Sequence, residues 1–300
     1  MVDGNRPKLI AIVGPTASGK SALAIEIAKD IDGEIISADS RQFYKGMNIG
    51  TGKVTKEEMQ GITHHLIDFL EPDDVYTLFD FQRDAFQVIS DVVQRGKVPL
   101  LVGGTGLFVD SVIENYQLSA TGVDTTLRDE LAGLSDEDLA TRLLAVFPNT
   151  TVDLKNRRRV IRELEYSYGD PTYEKGKGEP LYDVLMLELY YERSKLYRNI
   201  NKRVKEMFSA GLLEEVDGLF KRYGEDANAL SAIGYREFRG MHDIPHAPQY
   251  KLEKVDEEIK RNSRRYAKRQ ITWFKRYLNK KVVHSVQEAQ EKAQEFLKGE

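Results

Sequence analysis

The residues Gly14-Pro15-Thr16-Ala17-Ser18-Gly19-Lys20-Ser21 follow the spacing G-x-x-x-x-G-K-[ST] of a phosphate-binding loop. Gly14 and Gly19 let the backbone fold tightly, so that the N–H groups from Thr16 through Ser18 and onward converge on one anion. Lys20 adds a full positive charge, and the Ser21 hydroxyl is a ligand for Mg²⁺. The flanks suit the motif. Leu9 to Val13 reads as a buried parallel strand, and Ala22 to Lys29 as a helix whose N-terminus lends partial positive charge to the loop. The loop does not say which phosphate it holds.

A second group of polar residues, Asp39-Ser40-Arg41-Gln42, follows the short apolar run Glu34 to Ala38. Polar side chains at the C-terminal end of a parallel strand stand at the rim where such sheets bind ligands. Asp39 is the one carboxylate at a suitable strand end. It can accept a proton from an incoming nucleophile, cap a helix, or support Mg²⁺ through water, and the pattern leaves these roles open. Phosphoryl transfer usually needs an acid at the end of a further core strand. Here Val98 to Val102 runs instead into Gly103-Gly104-Thr105-Gly106, where paired glycines allow close approach of a ligand. His64 and His65 are adjacent, so they point apart in any regular structure. With no third ligand in view they read as hydrogen-bonded, half-buried histidines.

Two basic clusters remain. One holds Lys155, Arg157, Arg158, Arg159 and Arg162. The other has eight Lys/Arg and no acid from Lys260 to Arg276, with Tyr266, Trp273 and Phe274 interleaved. A charge run is ordinarily a solvated helix face. Aromatics among uncompensated cations also suit phosphate backbones and stacked bases. The net charge of −4 excludes a bulk polycation, so any nucleic-acid binding rests on such local clusters. The chain has no Cys, which excludes disulfides and thiolate metal sites. A polar start and no long apolar run predict a cytoplasmic protein without membrane contact.

The elements that must hold these groups alternate strand and helix through the first half, with a long amphipathic helix at 76–95. From about 119 to 180 the alternation gives way to helices at 126–134, 136–147 and 152–168, then a loop at 169–179. A fourth core strand is expected at 182–187, helices at 192–210 and 212–222 broken by Gly211, a long helix at 252–278, and a last strand near Val282. The expected fold class is α/β: a P-loop NTPase-like parallel sheet flanked by helices, with an inserted all-helical subdomain. The predicted division is a core of 1–118 with 181–300, and a helical insertion of 119–180.

As a set, these motifs resemble the bacterial tRNA dimethylallyltransferases, the tRNA isopentenyltransferase family. The residues that carry the resemblance are the phosphate loop, Ile36-Ser37-Ala38-Asp39-Ser40-Arg41-Gln42-Phe43-Tyr44, Lys45 to Thr51, and His64-His65-Leu66-Ile67-Asp68. Further on come Leu101-Val102-Gly103-Gly104-Thr105, Arg159 to Glu165, Gly234-Tyr235-Arg236, and Ala267-Lys268-Arg269-Gln270-Ile271-Thr272-Trp273. The resemblance implies transfer of a dimethylallyl group from dimethylallyl diphosphate to the exocyclic amine of the adenine 3′-adjacent to the anticodon of tRNA. The loop residues Gly14, Thr16, Ala17, Ser18, Gly19, Lys20 and Ser21 then bind the leaving diphosphate, with Mg²⁺ on Ser21. The same resemblance makes Asp39 the general base and puts Thr105 at the reaction channel. It assigns tRNA contacts to Asp39, Ser40, Arg41 and Gln42, and to Arg128, Arg159, Arg162, Glu163, Tyr166 and Ser167. The basic helix adds Arg264 and Lys268 to these contacts, and the Gly-Tyr-Arg turn adds Arg236. The chain departs from the family in having Glu163 where Ala is usual, and Ser231-Ala232 before Ile233. A monomer is expected. The competing expectation is a small-molecule or nucleotide kinase that uses the same loop for ATP.

Overall fold

The computed structural model describes residues 6–118, 125–169 and 176–299. In chain order the elements begin with β1 (Lys8–Val13), α1 (Lys20–Asp30), β2 (Gly33–Ser37), α2 (Lys56–Met59), β3 (His64–His65), α3 (Leu78–Gln94), β4 (Val98–Gly103) and α4 (Gly106–Ile113). There follow β5 (Tyr116–Gln117), α5 (Thr125–Ala132), α6 (Asp136–Val146), α7 (Arg157–Gly169), β6 (Gly176–Lys177) and β7 (Asp183–Leu189). The chain ends with α8 (Arg193–Ser209), α9 (Leu212–Tyr223), α10 (Gln249–Phe274), β8 (Lys281–Val283) and α11 (Val286–Lys298).

Six strands form one all-parallel sheet in the order β3-β2-β4-β1-β7-β8. The period of two in a strand divides β1 between two apolar layers. Leu9, Ala11 and Val13 join the cluster that includes Phe81, Val109, Val216 and Phe274 from α3, α4, α9 and α10. Ile10 and Ile12 join Leu23 and Ile27 of α1 and Ala289 and Ala293 of α11. Because every strand runs the same way, the residues after Val13, Ser37, Gly103 and Leu189 leave the sheet at one rim, and the functional groups collect there.

The helix ends have local causes. Thr77 and Asp80 form a capping box that starts α3 at Leu78. Gly211, at φ 99°, breaks α8 from α9 as expected. The helix expected from Val152 starts instead at Arg157. Asp153 accepts the N–H of Lys155 at 3.1 Å in a turn, and Asn156 Oδ1 accepts that of Arg159 at 3.3 Å, so helical geometry begins only after Asn156.

By compactness the chain divides into 1–114 with 180–300, and 115–179. The second unit packs α5, α6 and α7 around Leu131, Leu139, Leu143, Val160 and Leu164. Arg157 closes the end of α5 by donating to the carbonyls of Ala132 and Leu134, each at 2.7 Å. The expected loop at 169–179 carries strand β6, paired antiparallel with β5, while its residues 170–175 lie outside the described ones.

Candidate active site

The phosphate loop joins β1 to α1. Ala17 is held at φ 61° and Gly19 at φ 93°, a left-handed turn that costs alanine strain. The Ser18 hydroxyl is buried and has no hydrogen-bond partner. It lies on the Gly14 side of the loop, where a Cβ on Gly14 would stand 3.3 Å from it. Burial pushes the Lys20 ammonium down to about 8; the Asp39 charge opposes that shift and Arg203 adds to it. Two of the loop N–H groups expected to converge on the anion are engaged within the protein instead: that of Ser18 donates to the Pro15 carbonyl at 3.3 Å, and Thr16 supplies the second. Its N–H donates to Gln270 Oε1 at 2.9 Å, and its Oγ1 accepts from Arg203 at 3.2 Å. Ser21, at the start of α1, lines a small cavity together with Lys20, Asp39 and Gln42.

Asp39 sits at the end of β2, where its Oδ1 accepts the N–H of Arg41 at 3.1 Å. Thr105 is laced to the same strand end. Its Oγ1 accepts the Ser40 N–H at 3.2 Å, and its N–H reaches the Ala38 carbonyl at 3.3 Å. The glycines before it do not make room for a ligand. A Cβ on Gly103 would lie 2.2 Å from the Ala38 carbonyl oxygen, and one on Gly104 would lie 2.1 Å from Gln270 Nε2. Close approach is required there, but by the protein itself.

Arg203 was not anticipated. It donates to Thr16 Oγ1 and to the carbonyls of Thr51 and Gly52 at 3.1 and 3.0 Å. Burial lowers its pKa from the ordinary guanidinium value, and the Asp39 charge is the largest opposing influence. The loop that supplies those carbonyls is itself pinned. Glu215 accepts the N–H groups of Asn48, Ile49 and Gly50 and the hydroxyl of Tyr235 at 2.6 Å. The signal for Arg203 was a cation inside an apolar stripe, between the buried Ile200 and Val204. A neighbouring run of Lys and Arg hid it as one more solvated position.

Two cavities meet at this cluster. One of about 820 Å³ opens on the phosphate loop, lined by Gly19, Lys20, Ser21 and Gln42. The other, about 300 Å³, is lined by Ser40, Arg41, Thr105, Arg236, Tyr266 and Arg269. Thr16, Ala17, Asp39, Thr51, Arg203 and Met207 line both. Burial raises the Tyr266 phenol to about 12, with the Asp39 charge adding to the effect.

Several residues expected to meet tRNA already have protein partners. Arg264 donates to Asn201 Oδ1 at 2.6 Å. The basic helix ends at Phe274, short of the expected 278; Lys260 within it pairs with Asp256 and Glu257, and Arg276 just beyond it with the fully buried Asp110, so those two cations belong to packing. Lys268 is exposed. In the 115–179 unit the fork of Arg128 closes on Glu165 at 2.8 and 2.9 Å, and Arg162 reaches the same carboxylate at 3.1 Å. Arg162 also lies over the Tyr166 ring at 4.2 Å, Ser167 donates to the Leu164 carbonyl, Glu163 is half-buried and Arg159 is exposed. His64 and His65 are engaged as expected, with the Ile62 carbonyl at 2.9 Å and Glu34 at 2.7 Å.

Residues 42–277 match the model of a family described as IPP transferase, and residues 7–74 one described as isopentenyl transferase. The chain belongs to the IPP transferase family. It is 44% identical over 279 residues to a tRNA dimethylallyltransferase of Geobacillus thermodenitrificans, covering 89% of this chain and 87% of the relative. A tRNA dimethylallyltransferase of Staphylococcus aureus is 42% identical over 294 residues, covering 93% and 92%. Among solved structures, the full-length tRNA isopentenylpyrophosphate transferase of Bacillus halodurans superposes with a TM-score of 0.73 at 38% identity, over 98% of this chain and 96% of that one. A eukaryotic dimethylallyltransferase caught acting on tRNA gives 0.84 at 27% identity, over 98% and 80%. These family members share the parallel sheet flanked by helices described above. Among the described residues no helix is long and apolar enough to cross a membrane.

Proposed function

We propose that this protein modifies tRNA by prenyl transfer: the dimethylallyl group of dimethylallyl diphosphate passes to the exocyclic amine of the adenine 3′-adjacent to the anticodon, and diphosphate leaves. The observation that carries this reading is the junction of two cavities at Asp39, Thr16 and Arg203. One side offers an anion seat, as a diphosphate needs. The other is a chamber that joins Arg41, Arg236 and Arg269 to apolar walls from Ile200, Ile233 and Ile259, as an extruded nucleotide needs. A kinase would usually need an acid at the end of a further core strand, and β4 ends instead on Gly103, followed by Gly104.

In this mechanism the amine nitrogen attacks the allylic carbon, the carbon–oxygen bond breaks, and its electron pair departs on the diphosphate. The amine lone pair is delocalised into the ring, so nitrogen needs help. The Asp39 carboxylate accepts the amine proton as the carbon–nitrogen bond forms. Lys20, Arg203 and the N-terminus of α1 meet the growing charge on the diphosphate. Arg203 donates to a hydroxyl and two carbonyls and to no carboxylate among the described residues, so its charge is available to the leaving group. Thr105, fixed by Ser40, borders the chamber for the acceptor.

The donor set also fits Mg²⁺. Ser21 and Asp39 offer hard oxygens to one small cavity, and Mg²⁺ characteristically takes few protein ligands while keeping water and phosphate oxygens. When bound it would supply further neutralisation of the diphosphate. The tRNA would be held by Ser40, Arg41, Gln42, Arg236, Lys268 and the other exposed cations of α10, and by Arg159, Tyr166 and their neighbours in the 115–179 unit. A monomer working in the cytoplasm accords with this reading.

The test is direct. Purified protein, Mg²⁺, dimethylallyl diphosphate and unmodified tRNA should yield, after digestion, an adenosine heavier by one prenyl group at the position following the anticodon. Release of ADP from ATP with small acceptors, and no prenylated nucleoside, would overturn the proposal.

A further inference from the structure

Strands β1 and β4 pair through Val13 and Gly103, and there the ladder ends. Just beyond it the two chains part: one becomes the phosphate loop and the other the loop bearing Thr105. The side-chain amide of Gln270, on α10, lies between them. Its Oε1 accepts the Thr16 N–H at 2.9 Å, and its Nε2 donates to the Gly104 carbonyl at 2.9 Å. The residue is 4% exposed. A carboxamide has the donor and acceptor of a peptide unit, so it serves as one more rung after the backbone can no longer provide one. Gly104 is the seat of that rung, since a side chain there would collide with the amide.

We propose that Gln270 is a positioning residue for prenyl transfer: its amide ties the phosphate loop to the Thr105 loop, and so fixes the span across which donor and acceptor meet. The inference rests on the prenyl-transfer reading above. Each end of the tie leads to reacting groups. Thr16 also binds Arg203, and Thr105 binds Ser40 beside Asp39. The helix itself does not depend on this amide. Trp273, one turn on, is lodged against Gly106 and donates to the fully buried Asp110 at 3.1 Å, and Arg276 and Tyr277 engage the same carboxylate. Losing the amide therefore releases the two loops from each other while α10 stays docked. A displacement of about 1 Å between reacting groups is enough to cost on the order of 10²-fold in rate.

Two variants and the wild type test this in the prenyl-transfer assay at saturating donor, from pH 6 to 8.5. Gln270→Met keeps the volume and loses both bonds. Its kcat should fall by about 10–100-fold at every pH, with a melting temperature within a few degrees of wild type. Gln270→Glu still accepts from Thr16 but can donate to Gly104 only when protonated. Its kcat should be low at pH 8.5 and recover toward wild type at pH 6, because burial raises the carboxyl. Hydrogen exchange gives a readout independent of activity: the Thr16 amide should exchange faster in Gln270→Met while the Trp273 indole proton stays protected. An unaltered kcat, a loss confined to the donor KM, a collapse in melting temperature that accounts for the lost rate, or unchanged Thr16 exchange would each overturn the proposal. Failure of the wild type to transfer a prenyl group would instead overturn the prenyl-transfer reading, and the exchange measurement would still decide whether the amide joins the loops.

Discussion

At the scale of single residues, Asp39 is held before any substrate arrives, since the Arg41 N–H fixes one carboxylate oxygen at the strand end. Asp39→Asn keeps that shape and cannot take a proton. Single-turnover transfer should fall by roughly 10²–10⁴-fold while donor and tRNA affinities stay within a few-fold. Recovery of the rate at high Mg²⁺, together with a weakened donor affinity, would make Asp39 a metal support instead of a base. Arg203 gives the complementary expectation. Arg203→Met removes a desolvated cation from the diphosphate side, so the donor KM should rise by about 10–100-fold, as for the loss of a charged hydrogen bond, with tRNA affinity little changed. Equal losses in both affinities would refute that role. The two residues differ in how visible they were. Asp39 follows a strand, and the end of a parallel strand is a place of known meaning. Arg203 lies in mid-helix among other cations, and only the folded chain brings the carbonyls of Thr51 and Gly52 to it.

Among the elements, the parallel strands and long helices were legible because their apolar periods differ, and the rim followed from the strand directions. What was not legible came from contacts between elements distant in sequence. The basic stretch of α10 read as a surface, yet Gln270 and Trp273 of that stretch reach inward to Gly104 and Asp110. The glycines of the Thr105 loop read as space for a ligand because the helix that fills it lies far along the chain. A polar contact on β2 gives a stability prediction of the same inter-element kind. Glu34 is buried, and Arg95 first, then His65, hold its carboxyl down to about 2. A carboxyl lowered in the folded state stabilises it above the ordinary pKa of about 4.5, and the contribution is lost as pH falls toward 2. Glu34→Gln should therefore cost about 1–3 kcal/mol at pH 7 in urea unfolding. The variant should also lose less stability than wild type between pH 4.5 and 2. Parallel pH profiles for the two proteins would rule out Glu34 as the origin of the acid sensitivity.

Over the whole molecule, net charge and local charge point in different directions, and the structure says which cations are available. A net charge of −4 opposes a polyanion at long range. Lys260 of α10 and Arg276 just beyond its end are committed to Asp256, Glu257 and Asp110, whereas Arg265 and Lys268 of α10 are exposed. If the exposed pair neutralises tRNA phosphates, each contributes about 0.7–0.9 to the slope of log affinity against log salt. Replacing both Arg265 and Lys268 by Gln should then make the slope shallower by roughly 1.4–1.8 without lowering the melting temperature. Arg276→Gln should do the reverse. It leaves the slope nearly unchanged and destabilises the fold, because the fully buried Asp110 would lose its ion-pair partner. Filter binding of tRNA across a salt series, paired with thermal melts of the same preparations, separates these outcomes. A flat slope in the wild type would reduce the exposed cations of α10 to a solvated helix face, and would leave the grip on tRNA to the chamber arginines and the 115–179 unit.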